Sequence, residues 1–260
     1  MAVAMALHTT EAIIIGNHDL GEVDRIVVFY TRKLGKVRAV ASGARRPRSR
    51  YGAALLLFNY GRLVLFERKG KGLHRVNEFG ILRPFHRIRT NLDLLAHASY
   101  LIELIATTTP DEERNEELFQ LLLDSLGLLE EGLNPLSLTR AFEIRLLRAI
   151  GYLPELQCCV ICRFPLELHG PLAFSPGEGG LLCRKCEKGR RDVQTISPDA
   201  LSFLRTFLKV SLERLFYMEV PEGLQEELEE TLQAYLRYFL HRDLRSLGFL
   251  HACRIFQGSI

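Results

Sequence analysis

Two cysteine pairs constrain this chain more than any other feature of its sequence. Cys159-Val160-Ile161-Cys162 and Cys183-Arg184-Lys185-Cys186 each place two thiols three positions apart, and residues 163–182 separate the pairs. This spacing is typical of a four-thiolate zinc site, because two intervening residues let both sulfurs of a pair turn toward one tetrahedral ion. Four thiolates leave no coordination position for water, so the predicted zinc ion is structural rather than catalytic. The predicted ligands are Cys159, Cys162, Cys183 and Cys186.

Other uses of these cysteines stay open from the residues alone. Buried cysteine is a common small core residue, and Cys-x-x-Cys pairs also serve in redox chemistry. Disulfides are a further alternative, but the N-terminal stretch turns polar from His8 onward and lacks a secretory signal pattern, so we expect an intracellular protein with reduced thiols. Cys158 makes the register of the first pair ambiguous, whereas Cys253 stands alone and is expected to be unrelated.

The net charge of +3 conceals a strong asymmetry along the chain. Residues 1–80 carry 14 Lys and Arg against 6 Asp and Glu, which gives +8, so residues 81–260 sum to −5. An electropositive first part is typical of a domain that binds a polyanion such as nucleic acid. No apolar run approaches the roughly 18 residues that cross a bilayer, so we expect a soluble cytoplasmic protein.

Short β-branched runs in the first third of the chain predict a small barrel. Five such strands favour a closed barrel of the oligonucleotide-binding (OB) type, although an SH3-like barrel would show a similar pattern. The predicted fold class is therefore α+β, with an N-terminal five-stranded OB-fold barrel in residues 1–82, an α-helical domain in residues 83–260 and the four-cysteine zinc module inserted at about 152–190. The predicted strands are Ala12–Ile15, Arg25–Tyr30, Lys36–Ala41, Ala54–Phe66 and Leu73–Ile81.

Helical signals take over after Pro84. Apolar residues recur with helical spacing between residues 92 and 105, and a last helix is predicted from Glu222 to about Leu247. Three further helix starts combine a capping side chain with proline in the first turn, and we interpret the leucine stripes that follow them as core-facing. These starts are Thr109-Pro110, Asn134-Pro135 and Ser197-Pro198.

The densest basic segment is Arg45-Arg46-Pro47-Arg48-Ser49-Arg50-Tyr51, between the third and fourth predicted strands. Arginines on a barrel loop can approach the phosphates of a flexible strand, and an adjoining aromatic ring can stack on a base. Basic residues between the second and third predicted strands, in the third strand and in the last hairpin extend this candidate surface. The predicted nucleic-acid contacts are Arg32, Lys33, Lys36, Arg38, Arg45, Arg46, Arg48, Arg50, Tyr51, Arg68, Lys69 and Lys71.

The sequence lacks the patterns of the enzyme classes that these motifs would suggest. Gly70-Lys71-Gly72 has neither the first glycine nor the final hydroxyl residue of a phosphate-binding loop. No His-x-Glu triplet, which a zinc deaminase needs, occurs anywhere in the chain. We therefore predict no catalytic residues and a protein that is not an enzyme.

Several segments together resemble the RecO family of bacterial recombination mediators, and the resemblance covers nearly the whole chain. Its most recognisable part is Gly35–Ala41 followed by Gly43-Ala44-Arg45-Arg46. The other matching segments are Thr10–Ile14, Gly21–Arg25, Arg140–Glu143, Leu146-Leu147, Gly151–Pro154, Phe174–Pro176 and Gly179–Cys183.

The resemblance implies an OB barrel, a helical C-terminal domain and a zinc module. It also implies a function: binding single- and double-stranded DNA, annealing complementary strands, and working with RecR to load RecA onto strands coated by single-strand-binding protein, in the bacterial cytoplasm at the nucleoid. DNA contact carries over to Arg45, Arg46, Arg48 and Arg50, and metal binding to the four cysteines named above. The doubled Cys158 departs from the family pattern.

Two alternatives from other functional classes accompany this interpretation. One is a zinc-ribbon and OB interaction module of the transcription or translation machinery, in which the barrel binds structured RNA. The other is a metal-dependent enzyme, which a vacant coordination position would favour. Arg237, Arg242 and Arg245 are candidates for receiving the acidic tail of single-strand-binding protein.

Overall fold

The structure, a computed structural model, describes residues 6–67, 73–166 and 170–257. The chain forms two compact units, Met1–Glu130 and Glu131–Ile260. Among the described residues, the first unit contains the barrel and three α-helices, and the second contains four α-helices and a small sheet. The domain boundary predicted after residue 82 stays a prediction, since the compact units divide the chain later, at the end of the third helix.

Five strands form a closed barrel in the first unit: β1 (Leu7–Leu20), β2 (Asp24–Thr31), β3 (Gly35–Ala41), β4 (Tyr60–Phe66) and β5 (His74–Arg83). β1 pairs antiparallel with both β2 and β4, and the barrel closes where β3 runs parallel to β5, with Ala39 opposite His74 and Val40 opposite Arg75. The strand order β1-β2-β3-β5-β4 is that of an OB fold. The predicted fold class is confirmed, and the SH3-like alternative is not.

Successive side chains along each strand point alternately into the barrel and toward its outer face. Val27 and Phe29 of β2 and Val37 of β3 point inward and are at most 1 % exposed. Arg38 and Val40 of β3 have the opposite parity and point outward, where Arg38 is exposed. Arg38 therefore lies on a part of the outer surface that a ligand can reach, whereas the outward residues Val28 and Tyr30 of β2 are buried.

The predicted fourth strand, Ala54–Phe66, is wrong in its first half. Gly52–Leu55 form a short 3-10 helix, and β4 begins at Tyr60. The side-chain amide of Asn59 donates to two backbone carbonyls of this helix at 3.0 and 2.9 Å. Such side-chain bonds satisfy backbone groups that a strand would have paired, so the apolar run does not extend the sheet.

Three helices follow the barrel: α1 (His86–Thr90), α2 (Leu92–Thr108) and α3 (Glu116–Glu131). The predicted helix start at Thr109-Pro110 is wrong, because Thr109 ends α2 and α3 begins later. Asn115 caps α3, its side chain accepting from the backbone N–H of Leu118 at 3.0 Å. The intervening segment runs beside the start of β3, where the N–H of Glu112 donates to the Lys36 carbonyl at 2.8 Å.

Helix α3 covers part of the outer face of the barrel. The ring of Phe119 lies 6.2 Å from that of Tyr30 and 6.4 Å from that of Tyr60, between centroids. Tyr30 is fully buried there, and this burial, with the nearby Glu113 carboxylate, raises the pKa of its hydroxyl well above the ordinary value. The covered part of the barrel cannot serve as a binding face.

The second unit combines helices with a three-stranded sheet. Its elements are α4 (Pro135–Ala149), β6 (Leu172–Ser175), β7 (Gly180–Leu182), β8 (Gln194–Ile196), α5 (Pro198–Lys209), α6 (Glu222–Leu240) and α7 (Arg245–Gln257), with sheet order β7-β6-β8. The starts at Asn134-Pro135 and Ser197-Pro198 are confirmed, since each capping side chain accepts a backbone N–H of the first turn. The single helix predicted from Glu222 to about Leu247 is wrong, because His241 adopts a left-handed φ of 51° and ends α6.

Within the described ranges, no helix combines the length and the apolarity needed to cross a lipid bilayer.

Candidate nucleic-acid interface and metal centre

The arginine-rich loop after β3, residues 42–51, is held against the turn between β1 and β2. The N–H of Gly43 donates to the Asp24 carboxylate at 2.7 Å, and the N–H of Arg45 donates to the Val23 carbonyl at 3.0 Å. These bonds fix the loop backbone beside the β1–β2 turn. Its arginine side chains therefore project from a defined place on the barrel.

Three arginines of this loop are exposed and have no carboxylate partner among the described residues: Arg46, Arg48 and Arg50. The Arg50 guanidinium lies 4.8 Å from the centroid of the Tyr51 ring, and its Nη2 donates to the Tyr51 hydroxyl at 2.8 Å. This contact orients Arg50 and leaves its other N–H groups toward solvent. Guanidinium groups that are exposed and unpaired with a carboxylate can donate hydrogen bonds to phosphate oxygens.

Two further arginines of the predicted set are exposed but paired. Arg38 Nε lies 3.5 Å from a carboxylate oxygen of Asp111, and Arg45 Nη2 lies 3.4 Å from one of Asp19. Arg45 Nη1 also donates to the Gly21 carbonyl at 2.8 Å. Solvated ion pairs of this kind contribute little, so a phosphate can compete with the carboxylates for both guanidinium groups.

Lys36 and Tyr51, both predicted contacts, are buried and hydrogen-bonded inside the first unit. Lys36 is 6 % exposed, and its Nζ donates to the carbonyls of Ala106 and Thr109 at 2.6 Å each, at the C-terminal end of α2. Tyr51 is 6 % exposed, and its hydroxyl donates to the Val76 carbonyl at 3.1 Å. Neither side chain can reach a ligand from this position, so we leave both out of the proposed surface.

The structure places Arg32 and Lys33 apart from the loop, at the opposite end of β3. Arg32 Nε lies 2.7 Å from a Glu11 carboxylate oxygen, its Nη2 donates to Gln120 at 3.0 Å, and its guanidinium lies 4.7 Å from the centre of the Phe119 ring. Arg32 therefore joins the barrel to α3. Lys33 is exposed on the β2–β3 turn. The remaining predicted contacts, Arg68, Lys69 and Lys71, lie outside the described residues.

Arg75 is a basic residue that the sequence interpretation missed. It is exposed on β5 and lies opposite Val40 in the parallel pairing of β3 with β5, so it shares the outer face with Arg38. Its alternation with buried Val76 was a signal for an outward side chain. The sequence alone did not show that Arg75 lies next to β3, because these two segments are far apart in the chain and meet only where the barrel closes.

These observations define a cationic surface on the barrel. It comprises Arg38, Arg45, Arg46, Arg48, Arg50 and Arg75. It combines Arg38 of β3 and Arg75 of β5 with the four arginines of the loop that is held against the β1–β2 turn. OB folds bind oligonucleotides on the face of their second and third strands and through the loop between the first two strands. The surface can bind phosphate oxygens along a polyanion, and its arginines supply no group that would cleave one.

The four predicted metal ligands meet in the second unit. All four Sγ atoms lie within 4.8 Å of one another, and those of Cys162 and Cys183 are 3.7 Å apart. Two sulfurs bound to one tetrahedral zinc ion at about 2.3 Å would lie about 3.8 Å apart, so the donor set fits this ion. Cys158 is not a member of the cluster, which resolves the register of the first pair in favour of Cys159.

A short backbone bridge brings the two cysteine pairs together. The N–H of Glu155 donates to the Gly179 carbonyl at 2.9 Å, and the N–H of Leu181 donates to the Glu155 carbonyl at 3.0 Å. A Cβ at Gly180 would lie 2.5 Å from the Glu155 carbonyl oxygen, so this close approach requires glycine. The bridge joins the segment before the first pair to β7, which leads directly into the second pair.

The thiols perturb each other strongly at this distance. Burial acts to raise the pKa of the Cys159 thiol, but backbone N–H groups at Cys162, Cys183 and Ile161 outweigh it and lower that pKa to about 6. Hydrogen bonding to the Cys183 sulfur, together with burial, raises the pKa of Cys186 to about 12. The Cys159 thiol thus ionises easily, whereas the hydrogen bonds that Cys186 makes to neighbouring sulfurs keep its own thiol protonated. A divalent cation among the four sulfurs would remove this conflict.

Comparisons with known proteins agree along the whole chain. The family models described as "Recombination protein O N terminal" and "Recombination protein O C terminal" match residues 5–85 and 89–248. A protein of Symbiobacterium thermophilum named "DNA repair protein RecO" is 36 % identical over 252 residues, 96 % of this chain and 99 % of the relative. A Roseiflexus protein of the same name is 38 % identical over 95 % of this chain and 86 % of its own length. The chain belongs to the RecO family of DNA repair proteins.

Proposed function

We propose that this protein is a non-enzymatic recombination mediator that binds single- and double-stranded DNA and anneals complementary strands in the bacterial cytoplasm, at the nucleoid. With RecR it would help to load RecA onto DNA coated by single-strand-binding protein. Family membership supports the DNA repair role. It also favours DNA over the RNA-binding alternative.

The observation that carries the proposal is the exposure of Arg46, Arg48 and Arg50 on a loop braced against the β1–β2 turn. Exposed guanidinium groups without carboxylate partners repel each other, so the loop gains from an anionic ligand. A phosphodiester backbone supplies one negative charge per nucleotide and accepts bidentate hydrogen bonds from arginine.

The mechanism follows from charge neutralisation. Two complementary strands repel each other through their phosphates, and arginines that bind both backbones lower this repulsion and leave the bases free to pair. The contacts are to phosphates rather than to base edges, so affinity depends little on sequence. Affinity falls steeply with salt, because releasing condensed counterions gains less entropy when the bulk salt concentration is high.

We further propose that the four-cysteine cluster holds a structural zinc ion. When bound, zinc would cross-link the two cysteine pairs and stabilise the surrounding loops. Cys159, Cys162, Cys183 and Cys186 would fill the tetrahedral shell of this ion, so no position would be left for an activated water. The cluster therefore favours a structural role over a metal-dependent enzyme.

The test is to replace Arg46, Arg48 and Arg50 together by Gln and to titrate single-stranded DNA by fluorescence anisotropy at several salt concentrations. The slope of log K against log salt is negative, and we expect it to become shallower by about 2, because each lost phosphate contact removes about 0.7 from its magnitude. Arg62, Arg87 and Arg114 are exposed elsewhere in the first unit, and their joint replacement by Gln is the control for the loss of three positive charges. An unchanged slope in the first variant, or an equal loss in the control, would contradict the assignment.

A strand-annealing assay addresses the rest of the proposal. Complementary oligonucleotides, with and without single-strand-binding protein, should anneal faster with the wild-type protein and not with the triple Gln variant. Addition of RecR and RecA then tests loading, read as RecA-dependent ATP hydrolysis on coated DNA.

A further inference from the structure

The turn that carries the second cysteine pair is strongly basic, although the unit around it is not. Residues 131–260 contain 16 Lys and Arg and 16 Asp and Glu, so this unit is neutral overall. Five of those cations lie in Cys183–Arg191, where Glu187 is the single acidic residue. Charge is therefore concentrated on one turn of nine residues.

Only part of this charge is used inside the module. Arg190 is half-buried, its Nε donates to the Cys186 carbonyl at 2.8 Å, and its Nη1 pairs with Glu178. The other four cations are exposed and have no carboxylate partner in the part of the chain that the structure describes. They are Arg184, Lys185, Lys188 and Arg191.

The acidic residue that follows the turn already accepts hydrogen bonds from other groups of the second unit. Asp192 accepts a hydrogen bond from the Ser175 hydroxyl at 2.9 Å and another from the N–H of Gly177 at 2.7 Å. The Ser175 bond in particular lowers the pKa of Asp192, so its carboxylate stays charged and holds the β6 end of the sheet. It does not pair with the neighbouring Arg191.

The turn is a stiff support for these cations. The N–H groups of Cys186 and Glu187 both donate to the Cys183 carbonyl, at 2.9 and 3.0 Å, and both thiols of the pair belong to the four-sulfur cluster. Four thiolates around a divalent ion would leave two negative charges, which two cations suffice to balance. Exposed cations beyond that number repel one another, and an external anion would lower this repulsion.

We propose that Cys183–Arg191 is a second binding site for the phosphodiester backbone of DNA, separate from the cationic surface of the barrel. This inference rests on the proposed DNA-binding function and extends it. With one site on each compact unit, a single chain can hold two strands at once, which is what annealing requires.

The test uses the full-length, zinc-loaded protein. The first variant combines Lys188→Gln with Arg191→Gln, both outside the ligand pair, and the second adds Arg184→Gln and Lys185→Gln. The control combines Lys209→Gln with Arg214→Gln, two exposed cations elsewhere in the second unit. Zinc content, the salt dependence of DNA binding, and energy transfer between two differently labelled, non-complementary oligonucleotides are measured for each.

We expect the first variant to keep its zinc. The slope of its log K against log salt should become shallower by about 1.4, and energy transfer between the two oligonucleotides should fall at least fivefold. The control should match the wild type. If wild-type protein binds DNA and both variants still bridge as it does, the second site is refuted. If wild-type protein binds no DNA at all, the proposed function itself fails.

A measurement on the unaltered protein is independent of any folding defect. Acetylation of lysines, read by mass spectrometry, should fall at least threefold at Lys185 and Lys188 when single-stranded DNA is bound, and should not change at Lys209. Equal labelling of all three lysines with and without DNA would overturn the proposal.

Discussion

Gly35 is a residue at which the packing of the first unit leaves no room for any side chain. Its φ is +67°, and a Cβ there would lie 1.9 Å from the carbonyl oxygen of Glu113. The neighbouring Lys36 extends its side chain to the end of α2. Together these two residues bring β3 against the segment between α2 and α3, so they determine packing rather than ligand binding.

Gly35→Ala should therefore lower the free energy of unfolding by about 3 kcal/mol or more, since it adds backbone strain and a steric clash with main chain. Gly21→Ala is the matched control, because its φ of +61° is similar and nothing lies within 4 Å of the added Cβ. That variant should lose only about 1 kcal/mol. Urea denaturation followed by circular dichroism measures both, and equal losses would contradict this account.

Among the elements of the second unit, the four-cysteine cluster joins the segment before β6 to the turn after β7, and helices α4, α6 and α7 meet around buried charges. Arg140 of α4 is 1 % exposed and lies 3.2 Å from Glu143 on the same helix. Glu229 of α6 pairs with Arg254 of α7 at 2.5 Å and with His251 at 3.2 Å. Ion pairs between side chains therefore hold these helices together in addition to apolar contacts.

Cys162→Ser should abolish stoichiometric zinc binding and lower the melting temperature of the second unit, because three thiolates hold the ion less tightly than four. Cys158→Ser should keep the zinc, since its sulfur lies outside the cluster. Metal analysis by mass spectrometry together with thermal melting distinguishes the two. Loss of zinc from the Cys158 variant would show that the cluster uses a different register.

Glu229 should make the second unit sensitive to acid. Burial acts to raise the pKa of Glu229, but the charge of Arg140 and the hydrogen bond from Arg254 outweigh it, so the folded-state pKa is lowered. Its contribution is thus complete above the unfolded-state pKa of about 4.3 and is lost as pH falls through the lower folded value. Glu229→Gln should cost about 2–3 kcal/mol at pH 7 and less at pH 3, measured by urea unfolding. A loss that does not depend on pH would contradict the role of its charge.

At the scale of the whole molecule, the chain is two compact units, and the barrel shares the first with α1, α2 and α3. Phe119 of α3 covers Tyr30, and Arg32 pairs with both Glu11 and Glu116. The barrel thus buries part of its outer face with residues that come after the predicted boundary at 82.

Residues 1–130 expressed alone should therefore fold cooperatively, whereas residues 1–82 should be unstable or aggregate, because they expose the apolar outer face around Tyr30 and leave Lys36 without the α2 carbonyls. Dispersed amide signals in a nuclear magnetic resonance spectrum are the measure of folding. A well-folded 1–82 fragment would show that α3 is dispensable and would support the earlier boundary.

Much of the fold could be predicted from local patterns. The strands β2 and β3, the caps Asn134 and Ser197 and the four metal ligands follow from residue type and spacing, which act over a few positions. The start of α3 and the beginning of β4 could not, because Asn59 and Asn115 redirect the backbone through hydrogen bonds that compete with the apolar pattern.

Thiol spacing, formal charge and family motifs are properties of the linear chain, so the order of residues was sufficient to predict the four-cysteine cluster, the electropositive first part and the RecO family. Which cations face solvent, in contrast, depends on how the chain packs. Arg46 and Arg48 are exposed, Lys36 is buried against the end of α2, and Arg75 joins the surface from β5. The physical reason is that the availability of a charge depends on burial and on its partners, and both are set by residues distant in sequence.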